Sequence, residues 1–352
     1  MSRRTVATVV VSCLLVVLAA LAVVVPVPYV TMSPGPTVNV LGRSGDKPII
    51  AVRGHRTFPT QGDLRLTTVS VTNPTRRVGL GEVLKAWFDR KRAVYPRDVI
   101  YPPQQSADQV EQQSSVEMVS SQDTAVAAAL TELGYKLPLQ TEVLAVTKGS
   151  PADGKLRTRD RILRINGKEI TDAQQVSKAV QAAGSGGTAT FVVRRGHGTS
   201  TVQVQPKPAP KGSGRKAIVG VQIGTGYDFP FDVSVRLAQD IGGPSAGLMF
   251  SLGVYDTLTP GSLTRGTDIA GTGTIDARGR VGPIGGIQQK IVAAADAGAK
   301  IFFVPPGNCG SAEHADVTKD QIKLVKAPTM HSALHSLRAY VKDPSADLPA
   351  CG

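Results

Sequence analysis

The sequence predicts an α+β chain with three parts: an N-terminal apolar helix, a small β-rich unit, and a larger region of alternating strands and helices. Three observations predict it. Residues 5–25 hold no charged side chain and are mostly Val, Leu and Ala. Residues 139–205 hold short β-branched and apolar runs, punctuated by Asn166-Gly167 and Gly196-His197-Gly198. From Lys216 to about Val341, runs of strand length alternate with runs of helical spacing. At 352 residues the chain has room for two domains.

Composition narrows the class. With 41% hydrophobic and 19% charged residues, the chain is not a disordered polyelectrolyte. Its 37 Gly and 24 Pro follow no three-residue period, which excludes a collagen-like chain. Three Cys are too few for a disulfide scaffold or a multi-Cys zinc module. A net charge of +13 suits nucleic acid, anionic lipid or wall polymer. Aromatics at 5% argue against base-stacking platforms, and a nucleic-acid partner is not expected.

The run Thr5–Val25 has 21 residues, and about 20 apolar residues cross a bilayer. Arg3 and Arg4 precede it, and no Lys or Arg follows until Arg43. Positive charge stays cytoplasmic, so the bulk of the chain is expected on the extracytoplasmic side. A retained signal anchor fits the length; a cleaved signal peptide, with Ala20-Leu21-Ala22 as its site, is the alternative. In that compartment Cys309 and Cys351 can pair or stay as two thiols.

The prolines and glycines of residues 26–45 predict an extended tether. Ile49–Val52 and Leu64–Val71 read as strands, Leu80–Arg90 as a short helix with a basic end, and 91–105 as a loop. Ser106–Leu133 reads as a helix, with Gly134 at its stop. Within the β-rich unit, Asp172 caps a helix to Ala183. Two strands flank Gly196-His197-Gly198. Pro206–Gly214 reads as a linker, and 342–352 as a frayed tail.

Gly149-Ser150-Pro151-Ala152-Asp153-Gly154-Lys155-Leu156, followed by Asp160–Lys168, resembles a bacterial PDZ domain over about residues 137–205. Arg159-Asp160 stands where that pattern usually has Gly-Asp. The resemblance implies binding of extended peptide ends by strand addition, with a carboxylate-binding loop near Leu137–Glu142. Gly149–Lys155 also matches most of a P-loop. Leu156 stands where a Mg²⁺-binding Ser or Thr is required, so no nucleotide site is expected.

Gly242-Gly243-Pro244-Ser245-Ala246-Gly247 puts a serine among small residues just before an apolar, helix-like run. Small neighbours let a substrate backbone approach the hydroxyl, and free N–H groups at a helix start stabilise an oxyanion. A simple helix cap is the commoner use of such a serine. Lys290 lies 45 positions on, between Ile287 and Ala294 on one apolar helix face. Burial there, and the positive helix N-terminus, favour the neutral amine.

These pieces, with Thr272-Gly273-Thr274-Ile275, Gly279-Arg280-Val281 and Pro283–Ile287, resemble the proteolytic domain of Lon-type serine proteases. The resemblance implies a Ser-Lys dyad: Ser245 as nucleophile and Lys290 as general base, with Thr272, Gly243 and Ala246 in support. It also implies a homo-oligomer and peptide or unfolded-protein substrates. That family commonly has Asp directly before Gly-Pro-Ser; here Gly242 takes the place, and Asp240 is displaced. Gly62–Thr67, Leu80–Leu84 and Ala125–Leu133 resemble the opening of the same domain more loosely, so the PDZ unit is inserted into it or precedes it.

The expected organisation is a cytoplasmic tip (1–4), a transmembrane anchor (5–25), a tether (26–45) and the first part of the protease domain (46–135). A PDZ domain (136–206), a linker (207–215), the Lon-type proteolytic domain (216–343) and a tail (344–352) follow. The expected function is an ATP-independent serine endopeptidase at the membrane; an inactive PDZ-containing binding protein on the same fold is the alternative. His331 and His335 have metal-ligand spacing but no third ligand, so no metal or other cofactor is expected.

Overall fold

The computed structural model describes residues 3–103, 107–196, 198–210, 212–237 and 241–351. Ser106, His197, Lys211 and Asp240 of the sequence reading lie outside the described residues. Helix α1 (Arg3–Val24) has 22 residues, which at a rise of about 1.5 Å each matches a bilayer's hydrocarbon core. Its stretch Arg3–Ala20 is unburied, and Leu14 and Val16 are fully presented to the surroundings.

β1 (Tyr29–Asn39), β2 (Ile50–Arg53), β3 (Asp63–Val71), α2 (Leu80–Phe88), β4 (Ala93–Pro96) and the long helix α3 (Ala107–Glu132) follow. Next come β5 (Leu139–Val146), β6 (Arg161–Ile165), α4 (Ala173–Ala183), β7 (Ala189–Arg195), β8 (Gly198–Val204) and β9 (Val221–Tyr227). The chain ends with β10 (Asp232–Val235), α5 (Gly247–Leu258), β11 (Asp268–Gly271), α6 (Ile287–Asp296), β12 (Ile301–Val304), β13 (Lys323–Lys326) and α7 (Met330–Lys342).

The main sheet runs β13-β12-β11-β3-β1-β4. Its first four strands are parallel; β1 and β4 add antiparallel pairs. All four residues of β12 are buried, as in a sheet covered on both faces. Alternate side chains serve opposite cores. Ile301 and Phe303 join Leu248, Met249 and Phe250 of α5. Phe302 and Val304 join Ile287 and Ile291 of α6. The sheet therefore separates α5 from α6, and side chains borne by the two can meet only past a strand end.

The expected tether is largely a strand. Tyr29–Asn39 sits between β3 and β4, with Val30 and Val40 buried. Pro34 and Pro36 carry no N–H for a ladder, and they fall at a register irregularity between Pro34 and Thr37. Gly35 lies between them, where a Cβ would come 2.8 Å from the carbonyl carbon of Thr68. The expected loop 91–105 contains β4, whose partner is this same β1.

The β-rich unit is a sheet in the order β8-β7-β6-β5-β9. Asn166 (φ 50°) and Gly167 (φ 81°) form the left-handed turn their types favour. Asp172 accepts from the Gln175 N–H at 2.8 Å and caps α4. Phe191, Ile165 and Val180 centre a separate core. The expected boundary near 206–216 falls too early, because β9 pairs with β5 from Val146↔Val221 to Leu139↔Tyr227. Lys207 and Pro208 of the expected linker pair antiparallel with Ile218 and Ala217, just before β9. Sequence spacing could not reveal that the unit's first and last strands are neighbours.

The C-terminal tail is docked rather than frayed. Leu348 is buried, the Lys326 N–H donates to Pro349 O at 2.8 Å, and Cys309 is bonded to Cys351. Gly35→Ala is expected to push β1 off β3, at about 1–3 kcal/mol as for other overpacked sites. Thermal melts followed by circular dichroism check this; an unchanged Tm would mean the crossing accommodates a methyl.

Candidate active site

The serine turn is laced to the end of β11. Gly243 (φ 86°) and Pro244 lead into Ser245, and Ala246 caps α5. The Gly273 N–H donates to Ser245 O at 2.8 Å, and the Leu248 N–H donates to Gly273 O at 3.1 Å. A Cβ on Gly247 would sit 3.0 Å from the backbone nitrogen of Ile275, so this approach needs glycine. Among the described residues, no backbone acceptor lies on the N–H of Ser245 or Ala246.

From the other face of the sheet comes Lys290, one turn into α6 beyond a left-handed Gly286. Its Nζ lies 2.7 Å from Ser245 Oγ and 3.3 Å from Thr272 Oγ1. Thr272 donates to Ser245 O at 3.0 Å, tying hydroxyl, amine and turn together. Lys290 is 3% exposed, and burial pulls its pKa down to about 8. Ser245 is half-buried, within reach of a substrate. The five residues singled out in sequence thus share one place, above the C-terminal end of a parallel strand.

Helix α3 braces the turn from outside. Ser121 Oγ donates to Pro244 O at 3.0 Å. A Cβ on Gly242 would lie 2.2 Å from Ser114 Oγ, so α3 occupies the space that a side chain at this position would need. Beside the turn is a cavity of about 250 Å³ lined by Val116, Ser120, Thr124, Leu144, Pro244 and Ile275, among others. Sequence reasoning missed Leu144, which comes from β5 of the β-rich unit. Its signal was Gly224 in β9: a Cβ there would strike Leu144 Cδ1 at 2.4 Å, and glycine within a strand marks such an approach.

A second, larger cavity of about 670 Å³ runs between α4 and β9. Val176, Val180, Val219 and Ile223 supply its apolar lining, and Gln109, Gln112 and Gln113 of α3 close one side. β9 is the edge strand of its sheet. This corrects the expected position of the peptide end near Leu137–Glu142, since both sides of β5 are taken by β6 and β9. The P-loop-like turn is also occupied by its own chain: the Gly149 N–H donates to the Asp153 carboxylate at 2.8 Å. His331 lies 2.7 Å from the Glu132 carboxylate, and His335 is exposed. Among the described residues, no group of three or more His, Cys, Asp or Glu is placed to hold a metal.

Arg159 explains the departure from Gly-Asp. It takes the left-handed conformation (φ 70°) and reaches Asp123 Oδ1 and Gln122 Oε1 of α3, each at 3.0 Å. Asp123 and Glu142 are both buried at this junction. Burial, then the charge of Asp123, raises Glu142 to about 7 against the pull of Arg159 and Arg161; burial also raises Asp123. Asp123 Oδ2 and Glu142 Oε1 are buried without a hydrogen-bond partner among the described residues, so both carboxyls resist ionisation here.

Residues 237–338 match the Lon protease (S16) C-terminal proteolytic domain, and residues 142–195 match the PDZ domain. The chain carries a Lon-type proteolytic domain and a PDZ domain. Lon protease 2 of Sorangium cellulosum is 39% identical over 110 residues, 31% of this chain and 13% of that protein. The Lon protease of Azorhizobium caulinodans is 36% identical over 94 residues, 26% of this chain and 11% of that protein. The chain therefore spans only a small part of these relatives. The solved PDZ domain of the SdrC-like protein from Listeria innocua is 20% identical, with a TM-score of 0.22, and covers 24% of this chain and 92% of its own.

A folded-state carboxyl pKa above its unfolded value stabilises the fold fully below the unfolded pKa, and the gain is lost as pH rises through the folded one. For Glu142 that window runs from 4.5 to about 7. The Tm should therefore fall as pH rises from about 4.5 to about 7, and fall less in Glu142→Gln. Equal slopes in scanning calorimetry would remove Glu142 from the account.

Proposed function

We propose that this chain is a membrane-anchored, extracytoplasmic serine endopeptidase that needs no ATP and uses Ser245 and Lys290 as a dyad. One observation carries the reading: a buried lysine amine, depressed toward neutrality, 2.7 Å from a half-exposed serine hydroxyl. In the neutral state Lys290 Nζ accepts the Ser245 proton as Oγ attacks the scissile carbonyl. The N–H groups of Ser245 and Ala246, with Gly243 giving the turn its shape, are candidates to hold the oxyanion. The lysine ammonium then donates to the leaving amine, and the returned base activates water for deacylation. Thr272 keeps Nζ aimed at Oγ.

The PDZ unit is inserted in this reading, because strands before it (β1, β3, β4) and after it (β11, β12, β13) share one sheet. An extended peptide end would add to the free edge of β9, with side chains toward α4. Substrates are peptides or unfolded proteins at the membrane, and the active form is a homo-oligomer. The charge pattern of α1, with Arg3 and Arg4 in its first turn and no Lys or Arg until Arg43, supports the orientation. The occupied Gly149 turn supports independence from nucleotide.

Cleavage of an unfolded protein without ATP tests this. Ser245→Ala and Lys290→Ala should each lose at least about a thousandfold in kcat/KM, as for other catalytic nucleophiles and bases. Cleavage that persists in both variants would place the chemistry elsewhere, and an inert wild type would leave a PDZ-containing binding protein. Because the base must be unprotonated, kcat/KM should rise about tenfold per pH unit below the Lys290 pKa and level off above about 8. A profile flat from pH 6 to 9 would contradict Lys290 as base. Leu144→Ala, by enlarging the cavity beside Ser245, should shift preference toward bulkier apolar side chains by about tenfold. An unchanged cleavage profile in a peptide library would remove that cavity from substrate recognition.

A further inference from the structure

Outside α1, six of the seven exposed large hydrophobic side chains among the described residues surround one point: Val25, Tyr29, Leu84, Trp87, Phe88 and Val99. That point is where the chain leaves α1. The Leu80 N–H donates to Val25 O at 3.3 Å, Pro26 and Val27 pair with Gly79 and Val78, and the Arg97 N–H donates to Pro28 O at 2.9 Å. Helix α2 also packs against α1.

α2 is apolar on two faces. Val83 and Ala86 are buried against the body. Leu84, Trp87 and Phe88, spaced to share another face, are 48%, 71% and 82% exposed. A water-facing helix does not present the chain's sole Trp beside a Phe without a partner. Basic side chains frame this face: Arg77, Lys85 and Arg90 are exposed, and Arg76–Arg97 holds seven basic residues against two acidic. Apolar and aromatic residues flanked by Lys and Arg, at the end of an apolar helix, form the pattern of a membrane–water boundary.

We propose that α2 lies in the membrane surface. Leu84, Trp87 and Phe88 enter the boundary between headgroups and acyl chains, and Lys85 and Arg90 meet anionic headgroups. The inference depends on reading α1 as a membrane span. It goes beyond that reading by giving the folded body a fixed posture on the lipid. Lys91 lies beside this face and pairs with Asp296 at 3.6 Å, at the end of the helix that carries Lys290. The dyad is thereby held at a set height above the bilayer rather than on a free tether.

Trp87 is its own reporter. The full chain is reconstituted into vesicles of phosphatidylcholine with or without phosphatidylglycerol, and co-flotation is scored first. Lipids brominated high on the acyl chain should quench Trp87 emission at least twofold, while aqueous iodide quenches it little. Lys85→Glu with Arg90→Glu should abolish any extra quenching in the anionic vesicles. If the chain floats but Trp87 is quenched by iodide and not by bromolipid, α2 faces water and the proposal is overturned. Protection from iodide without bromolipid quenching means a protein covers the face, which also overturns it. A chain that fails to float sinks the span reading and this proposal together.

Discussion

The site depends on one constraint: an amine buried among hydroxyls and apolar side chains holds its proton less tightly than one in water. Lys290 touches Ser245 and Thr272, and burial is the cause of its lowered pKa. A paired carboxylate would favour the ammonium instead. The fold supplies this environment by topology. α5 and α6 lie on opposite faces of the sheet, and their side chains meet just past the end of β11. Thr272 is the first residue beyond that strand, so one hydroxyl can bind both the amine and the serine turn.

Helix α3 transmits this order outward. Its inner face fills the core through Ala125, Ala129 and Leu130. Its other sides touch the serine turn, line the α4–β9 groove and hold Arg159. Arg159 shows which effect wins at that junction. A non-glycine residue in the left-handed region costs about 1–2 kcal/mol. Hydrogen bonds to charged groups contribute about 1.5–3 kcal/mol each, and Arg159 makes them to Asp123 and Gln122. The usual glycine would relieve the backbone and lose the dock. The strained residue is therefore the one that seats the PDZ unit against the protease core.

Much of this was legible in the residues. Charge-free length announced α1, Asn166-Gly167 announced a turn, and small residues around Ser245 with Lys290 on an apolar face announced the site. Each is a local pattern with a local cause. What stayed hidden was long-range. Tyr29–Asn39 reads as a tether because its prolines and glycine look like punctuation; it is a strand because β3 and β4 flank it. β9 reads as the start of the protease region until its ladder with β5 is seen. Leu144 belongs to a strand of the β-rich unit, and it meets Pro244 only where that unit lies against α3. Pairing partners distant in sequence carry no spacing signal, so such errors fall at boundaries rather than within motifs.

The ends of the PDZ unit explain how the fold tolerates it. Leu139 and Tyr227 face each other at the open end of the β5–β9 ladder, and the Asp228 N–H donates to Pro138 O at 2.9 Å. The chain leaves and re-enters the protease region at almost one point. An insertion with joined ends asks no more of the host than a short loop would, because loop-closure entropy is already met by its own folding. The unit's β5 supplies Leu144 to the cavity beside Pro244, while the partner strand β9 presents the groove's edge. Leu144 lies against Gly224 of β9, where a Cβ would come 2.4 Å from its Cδ1, so the strand needs glycine at that point.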